Sequence, residues 1–236
     1  MPQISVILPC YNPPMHWEKR VTNSIELLQQ NAESIELIIV NDGSSADLSL
    51  SFVTIKNKIK NSIIISYNQN RGKGYAIREG IAAATGDYIV YTDIDLPYTN
   101  NSVQKIIDSL VNDKYDIAIG VKDQNYYRGV PLFRTGISKI LRGLSTLLLG
   151  LKNTDTQCGL KGMTKQASSV WAEGVIDHYL FDLEAIYKAE KKGYKIIGVP
   201  VTLREGVKFS TIKGKVIVTE LRNFIRLTIK QKRDHK

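Results

Sequence analysis

Asp93 and Asp95 end an apolar run, IVYTDIDLP (89–97), with one apolar residue between them. Alternate residues of an extended chain point the same way, so both carboxylates face one side and Ile94 turns back. Two like charges at the end of a buried strand repel each other and lose hydration. A hard divalent cation, Mg²⁺ or Mn²⁺, would relieve that repulsion; it could also hold a diphosphate and neutralise the charge gained on leaving. The alternative is a turn in which each aspartate caps local backbone groups. A second segment, NQNRGKGYAIREG (68–80), places Lys73 between Gly72 and Gly74 just ahead of a helical pattern. Glycines and a lysine at a helix N-terminus suit phosphate or another anion. It lacks the G-x-x-x-x-G-K-[ST] spacing of a Walker A loop, and Ile77 stands where a G-x-G-x-x-G would need its third glycine. A plain glycine-rich connection is the other reading.

These residues need elements to position them. QISVILP (3–9), IELIIVN (35–41), SIIISYN (62–68), DYIVYTD (87–93) and YDIAIGV (115–121) read as buried strands. Between them, Trp17, Val21, Ile25 and Leu28 recur at helical spacing, Ser44 or Ser45 offers a helix cap, and GYAIREGIAAAT reads as a helix. Continuous apolar strands alternating with helices predict an α/β fold with a central, mostly parallel sheet flanked by helices. The alternation breaks after about Val121. A long helix (about 131–150), an irregular stretch (152–163), two shorter helices, a strand YKIIGVPV (194–201) and a C-terminal helix are expected there. No repeat or linker divides the chain. The reading is one domain, 1–236, with a donor half (1–121), an acceptor half (122–212) and a basic tail (213–236). Ligands of open α/β sheets sit beyond the carboxyl ends of the strands. Cys10-Tyr11-Asn12, Asp42, Asn70 to Gly74 and Asp93/Asp95 all fall at such ends.

With 236 residues, 43% hydrophobic, the chain can bury a sizeable core. Two cysteines, Cys10 and Cys158, are too few for a disulfide framework and fit a reducing compartment. They read as small buried hydrophobes, and Trp17 and Trp171 as packing residues. No signal peptide is read at the start, and no apolar run approaches the ~20 residues of a membrane span. A net charge of +9 suggests an anionic partner. No aromatic platform or reading motif accompanies the charge, so no nucleic acid is expected.

The strings VILPCYNPP, IVNDGSS, NRGKGYAIREG, TDIDLP, DTQCGLKGM and FDLEAIYKAEKKGYKIIGVPV occur in that order. Together they resemble the inverting glycosyltransferases of family two, with the GT-A (Rossmann-like) fold. Within these the chain is most similar to the polyprenyl-phosphate hexosyltransferases of the dolichyl-phosphate β-glucosyltransferase branch, and more distantly to dolichyl-phosphate mannose synthases. The likeness runs from Ile4 to about Lys208. It implies that Pro9, Tyr11 and Asn12 line the nucleotide pocket and that Asp42 hydrogen-bonds the base. Gly74 and Arg78 would lie near the nucleotide and the carboxylates, and Arg78, with Lys73 as a further candidate, would stabilise the leaving diphosphate. Asp93 and Asp95 would hold Mg²⁺ or Mn²⁺, with Asp95 the direct ligand. Lys122, Arg134 and Ser138 would receive a lipid phosphate, and Asp155, Gln157 and Cys158 would form the acceptor-side motif. Phe181, Asp182 and Glu184 match the helix motif that follows. The chain departs from the pattern at Pro13, at Pro97 and over LREGVK (203–208).

The activity so implied is inverting transfer of a hexose, glucose favoured, from a nucleotide-diphosphate sugar such as UDP-glucose to a polyprenyl phosphate. That acceptor is already an anion and needs no strong base. A glycan hydroxyl, the alternative acceptor, would need one within hydrogen-bond reach. Asp155, Asp182 and Glu184 are the candidates; Asp182 as a helix cap and Glu184 paired with Lys188 are their ordinary readings. In the tail, Val218, Leu221 and Ile225 form an apolar stripe beside Arg222, Arg226 and Lys230. This suits either an anionic membrane surface or packing on the domain. The expected setting is the cytoplasmic face of a membrane, with a membrane-spanning partner as a further candidate. A basic nucleic-acid- or anion-binding protein and a degenerate transferase kept as a binding subunit are the competing classes.

Overall fold

The computed structural model describes residues 3–30, 34–122, 158–178 and 180–207. Seven strands form one sheet: β1 (Gln3–Cys10), β2 (Ser34–Asp42), β3 (Ser62–Tyr67), β4 (Tyr88–Tyr91), β5 (Ile117–Lys122), β6 (Lys161–Thr164) and β7 (Ile196–Val201). Their order is β3-β2-β1-β4-β6-β5-β7. β3, β2, β1 and β4 are mutually parallel, as are β5 and β7, while β6 runs antiparallel between β4 and β5. The sheet is therefore mostly parallel and flanked by helices, as the alternation predicts. The helices are α1 (Trp17–Gln29), α2 (Ser49–Lys58), α3 (Lys73–Ala83), α4 (Asn100–Val111), α5 (Ser169–Ala172) and α6 (Phe181–Lys191).

Period-two alternation splits the core into two layers. Ile4, Val6 and Leu8 of β1 and Leu37 and Ile39 of β2 face α1, α2 and α4, where Trp17, Val21, Ile25, Ile55 and Ile106 meet them. Ile7, Ile38, Val40 and Tyr91 face the other way, onto Ala76 and Ile77 of α3, Trp171 of α5 and Ile186 of α6. Burial on both faces explains why these strands carry unbroken apolar runs.

Two expectations are corrected. The stretch 152–163 is not irregular to its end, because Lys161–Thr164 is β6, a strand too short to carry a legible alternation. Neither Ser44 nor Ser45 caps a helix. α2 begins at Ser49, where the Asp47 carboxylate accepts from the Ser49 N–H at 2.9 Å. The expected helix 131–150 and the C-terminal helix lie outside the described residues. No helix among the described residues is long and apolar enough to cross a membrane.

Candidate active site

The carboxyl ends of β1, β2 and β4 meet at one edge. Cys10 pairs with Asn41, and the Thr92 N–H donates to the Ile7 carbonyl, bringing Asp93 alongside. Asn12, at φ 45° in the left-handed region that asparagine tolerates, ties the first two ends together. Its Oδ1 accepts from the Ser45 N–H at 2.9 Å and its own N–H donates to Ser44 Oγ at 3.0 Å. The serines expected to cap a helix thus join P-C-Y-N to N-D-G-S. Pro9 is half-buried beneath this corner, and Tyr11 stands exposed beside it.

Asp42 is buried, and its carboxylate holds the N-R-G-K-G loop. Oδ1 accepts from the Arg71 N–H at 2.7 Å; Oδ2 accepts from the Gly72 N–H at 3.0 Å and from Asn70 Nδ2 at 2.9 Å. The structure therefore gives Asp42 a loop-holding role that the motif did not suggest. Gly72 turns at φ 102°, a conformation that strains residues with a Cβ, with the Asp177 carbonyl packed against it. Gly74 donates its N–H to the same carbonyl at 2.7 Å and has no room for a Cβ beside Phe181. These glycines dock α3 on the segment before α6. Lys73, between them, reaches the aspartates: its Nζ lies 2.5 Å from Asp93 Oδ1.

Asp93 and Asp95 sit in a tight turn, closed by the Leu96 N–H donating to the Asp93 carbonyl at 2.9 Å. Leu96 adopts φ 46°, a left-handed conformation costing about 1 kcal/mol for a non-glycine residue. Its side chain is nonetheless buried in the core, so packing holds the turn in place. Arg20 of α1 donates to the Asp95 carbonyl at 2.8 Å. Burial, then the neighbouring Asp93 charge, raises the Asp95 carboxyl above the ordinary aspartate range. A carboxylate pair in which one member resists ionisation and the other already attracts an ammonium is a place for a cation. Among the described residues no third acidic, cysteine or histidine ligand joins them. Two carboxylates with the remaining positions left to substrate phosphate and water is the usual Mg²⁺ arrangement.

Arg78 is held by the segment that α3 docks on. Its guanidinium pairs with the Asp177 carboxylate and donates to the Ile176 carbonyl at 3.1 Å. To act on a diphosphate it would have to leave that pair. The two described base candidates likewise have partners. Asp182 is buried: Oδ1 accepts from the Tyr91 hydroxyl and from Trp171 Nε1 at 3.3 Å, and Oδ2 lies 2.8 Å from Lys161 Nζ. It caps no helix. Glu184 Oε2 accepts from the Val175 and Ile176 N–H groups, and Oε1 pairs with Lys188 at 2.9 Å, the partner its spacing suggested. Burial pushes the Cys10 thiol up to about 12, so it is no nucleophile at neutral pH.

From the acceptor-side motif, Cys158 and Gly159 reach the site, with Gly159 packed directly on the Asp93 carboxylate. Lys122 contributes the last backbone position of β5, paired with Val201. Arg134, Ser138, Asp155 and Gln157 lie outside the described residues. Several residues the motifs did not single out also serve the site. Arg20 holds Asp95. Arg204 donates to the Tyr98 carbonyl at 2.9 Å, to Ser24 Oγ at 2.6 Å and to Asn100 Oδ1 at 2.7 Å, pinning the segment after the aspartates. Its signal was the departure at LREGVK. Lys161, inside the string DTQCGLKGM, carried no signal of its own.

The sequence profile of glycosyl transferase family 2 matches residues 5–170. Glycosyltransferase AglD of Haloferax volcanii is 28% identical over 84% of this chain, which spans only 32% of that protein. A dolichyl-phosphate β-glucosyltransferase of Trichomonas vaginalis is 28% identical over 99% of this chain and 77% of its own length. The glucosyl-3-phosphoglycerate synthase of Mycobacterium tuberculosis, solved with Mn²⁺, UDP and phosphoglyceric acid, superposes with a TM-score of 0.70. It is 18% identical, over 97% of this chain and 78% of that one. A second crystal of that enzyme holds Mg²⁺ and UDP, with a TM-score of 0.67, 17% identity and coverage of 97% and 79%. This likeness shows the fold, GT-A.

Proposed function

The chain belongs to glycosyl transferase family 2, and we propose that it transfers a hexose, glucose favoured, from a nucleotide-diphosphate sugar to a polyprenyl phosphate. The observation that carries the donor half is the Asp93–Asp95 pair just past the carboxyl end of β4, with Lys73 2.5 Å from Asp93. Two carboxylates at the open edge of a sheet, already drawing a cation, fit a diphosphate-bearing donor delivered with Mg²⁺ or Mn²⁺. Such an ion, when bound, supplies electrostatic stabilisation of the leaving diphosphate. Lys73 adds a positive charge on the same side. Asp42 keeps the loop carrying it in register, and Tyr11 and Asn12 border the nucleotide position.

Two things support a lipid phosphate as acceptor. One is the named dolichyl-phosphate relative. The other is the commitment of Asp182 and Glu184, which takes away the two described bases a hydroxyl acceptor would use. A phosphate oxygen attacks the anomeric carbon from the face opposite the diphosphate. The new carbon–oxygen bond forms as the bond to the diphosphate breaks, and no proton has to be removed. Lys122, Arg134 and Ser138 are assigned to hold the acceptor phosphate, with Asp155 and Gln157 bordering it. Since a polyprenyl chain stays in its bilayer, the enzyme works at the cytoplasmic membrane face, and Arg222, Arg226 and Lys230 suit its anionic lipids.

The test is product analysis with labelled UDP-sugars and GDP-sugars, Mg²⁺ or Mn²⁺, and polyprenyl phosphate in detergent, with Asp95→Asn alongside. A metal-dependent glycolipid, lost in the variant, is the expected result and names the sugar. Donor hydrolysis without glycolipid moves the acceptor to a hydroxyl. Absence of both turnover and nucleotide binding would sink the enzyme reading.

A further inference from the structure

The Cys158–Gly159 turn is where the second half of the chain meets the aspartates, and buried groups with no part in the transfer chemistry converge on its backbone. From beneath, the Lys161 ammonium donates to the Cys158 carbonyl and lies 2.8 Å from Asp182 Oδ2. The Lys161 side chain is wholly buried. Asp182 is itself held by the Tyr91 hydroxyl and Trp171 Nε1, so the pair rests on β4, α5 and α6 together. From the side, the Tyr98 hydroxyl accepts from the Gly159 N–H at 3.1 Å and from Cys158 Sγ at 3.2 Å. On the third side there is no slack, because a Cβ on Gly159 would overlap the Asp93 carboxylate.

A buried ion pair is a poor way to gain stability, since apolar residues of similar volume usually serve as well or better. What it supplies is direction. A lysine fixed by one carboxylate has a remaining N–H to aim at a single carbonyl, and here that carbonyl begins the turn against Asp93. Tyr98 lies three residues beyond Asp95, so its hydroxyl joins the aspartate loop to the same turn.

We propose that Lys161, fixed by Asp182, and Tyr98 are positioning residues that lock the Cys158–Gly159 turn against Asp93. They thereby set the register between the donor carboxylates and Cys158–Gly159. None of the three touches substrate. The proposal rests on the reading that the acceptor enters beside that segment.

Tyr98→Phe is the cleanest probe, because it removes one hydroxyl and keeps the ring. Lys161→Met with Asp182→Asn removes both charges together while an amide oxygen still serves Tyr91 and Trp171. Transfer from UDP-glucose to polyprenyl phosphate in detergent gives kcat and KM, calorimetry gives the affinity for UDP with Mn²⁺, and hydrogen exchange follows the backbone. Tyr98→Phe should lower kcat/KM for the acceptor about tenfold, while UDP–Mn²⁺ affinity stays within about twofold. Exchange should quicken together at residues 158–160 and 93–96, with β1 and β2 unchanged. A merely structural role would lower thermal stability without splitting acceptor kinetics from nucleotide affinity. Wild-type acceptor kinetics in Tyr98→Phe, or equal losses in both quantities, would overturn the proposal. If wild-type protein binds UDP–Mn²⁺ but makes no glycolipid, the function reading fails instead. The lock is then decided by exchange alone, unchanged protection at 158–160 and 93–96 refuting it. Should the double variant not fold, Tyr98→Phe decides.

Discussion

Burial and the adjacent Asp93 charge both raise the Asp95 carboxyl, so the folded chain holds that proton more tightly than the unfolded chain does. Linkage then fixes the sign: this group favours folding most in acid, and the contribution is lost as pH rises through the raised value. In metal-free protein at pH 7, Asp95→Asn should therefore raise the thermal midpoint. The gain should vanish near about pH 3, where the aspartate is protonated in both states. A variant less stable than wild type at pH 7 would mean the ionised carboxylate is satisfied after all. The same crowding gives Lys73 a second role. Its ammonium lies against Asp93 Oδ1, so a cation held by Asp93 and Asp95 would have to share that carboxylate with it. Titration with Mn²⁺ alone should show Lys73→Met binding the ion about two- to fivefold more tightly, the span of a partly exposed ion pair. Weaker binding would show that Lys73 supports the metal position and does not guard it.

At the scale of elements, the parallel half of the sheet was legible because its strands are buried on both faces and end in turn residues. Asp42, Asp93 and Asp95 could be placed at strand ends for that reason. β6 was not legible: four residues, with a lysine first, give no period, and only pairing with β4 and β5 makes them a strand. Apart from the Glu184–Lys188 pair, which its spacing suggested, what the site side chains touch was equally hidden. Asp182 and Glu184 looked like reactive carboxylates in a helix motif, yet their partners, Lys161 and the 175–176 backbone, come from elements whose packing no local pattern encodes. Arg204 is the clearest such case. It joins the end of β7 to α1, α4 and the aspartate loop through three acceptors in different directions. A planar guanidinium can meet all three, whereas a lysine ammonium at the end of a flexible stem cannot. Arg204→Met should cost roughly 1–3 kcal/mol in urea unfolding with an unchanged slope, since polar groups lose their donor. Arg204→Lys should recover less than half of that loss. Full recovery by lysine would reduce the clasp to charge alone.

For the molecule as a whole, one edge of one sheet collects the described candidate residues, and the chain carries a net charge of +9. That surplus is more than a donor diphosphate needs. On the proposed function, it suits attraction to an anionic membrane surface where a lipid-bound phosphate is presented. Surface attraction of this kind amounts to about 1 kcal/mol for each basic residue near the lipid headgroups and decays within a Debye length. Arg222, Arg226 and Lys230 lie four residues apart in sequence, next to the apolar stripe of Val218, Leu221 and Ile225. If they meet the membrane, replacing Arg222 and Arg226 by glutamine should weaken binding to phosphatidylserine vesicles by roughly 30-fold, which is about 2 kcal/mol. Binding to neutral vesicles should barely change, and 0.5 M salt should erase the difference. Turnover of a short, detergent-soluble polyprenyl phosphate should survive in the variant, because the donor edge is untouched, while turnover of acceptor embedded in anionic vesicles should fall with the binding. Equal vesicle affinity in wild type and variant would place those arginines away from the membrane. The charge surplus would then have to act elsewhere on the domain.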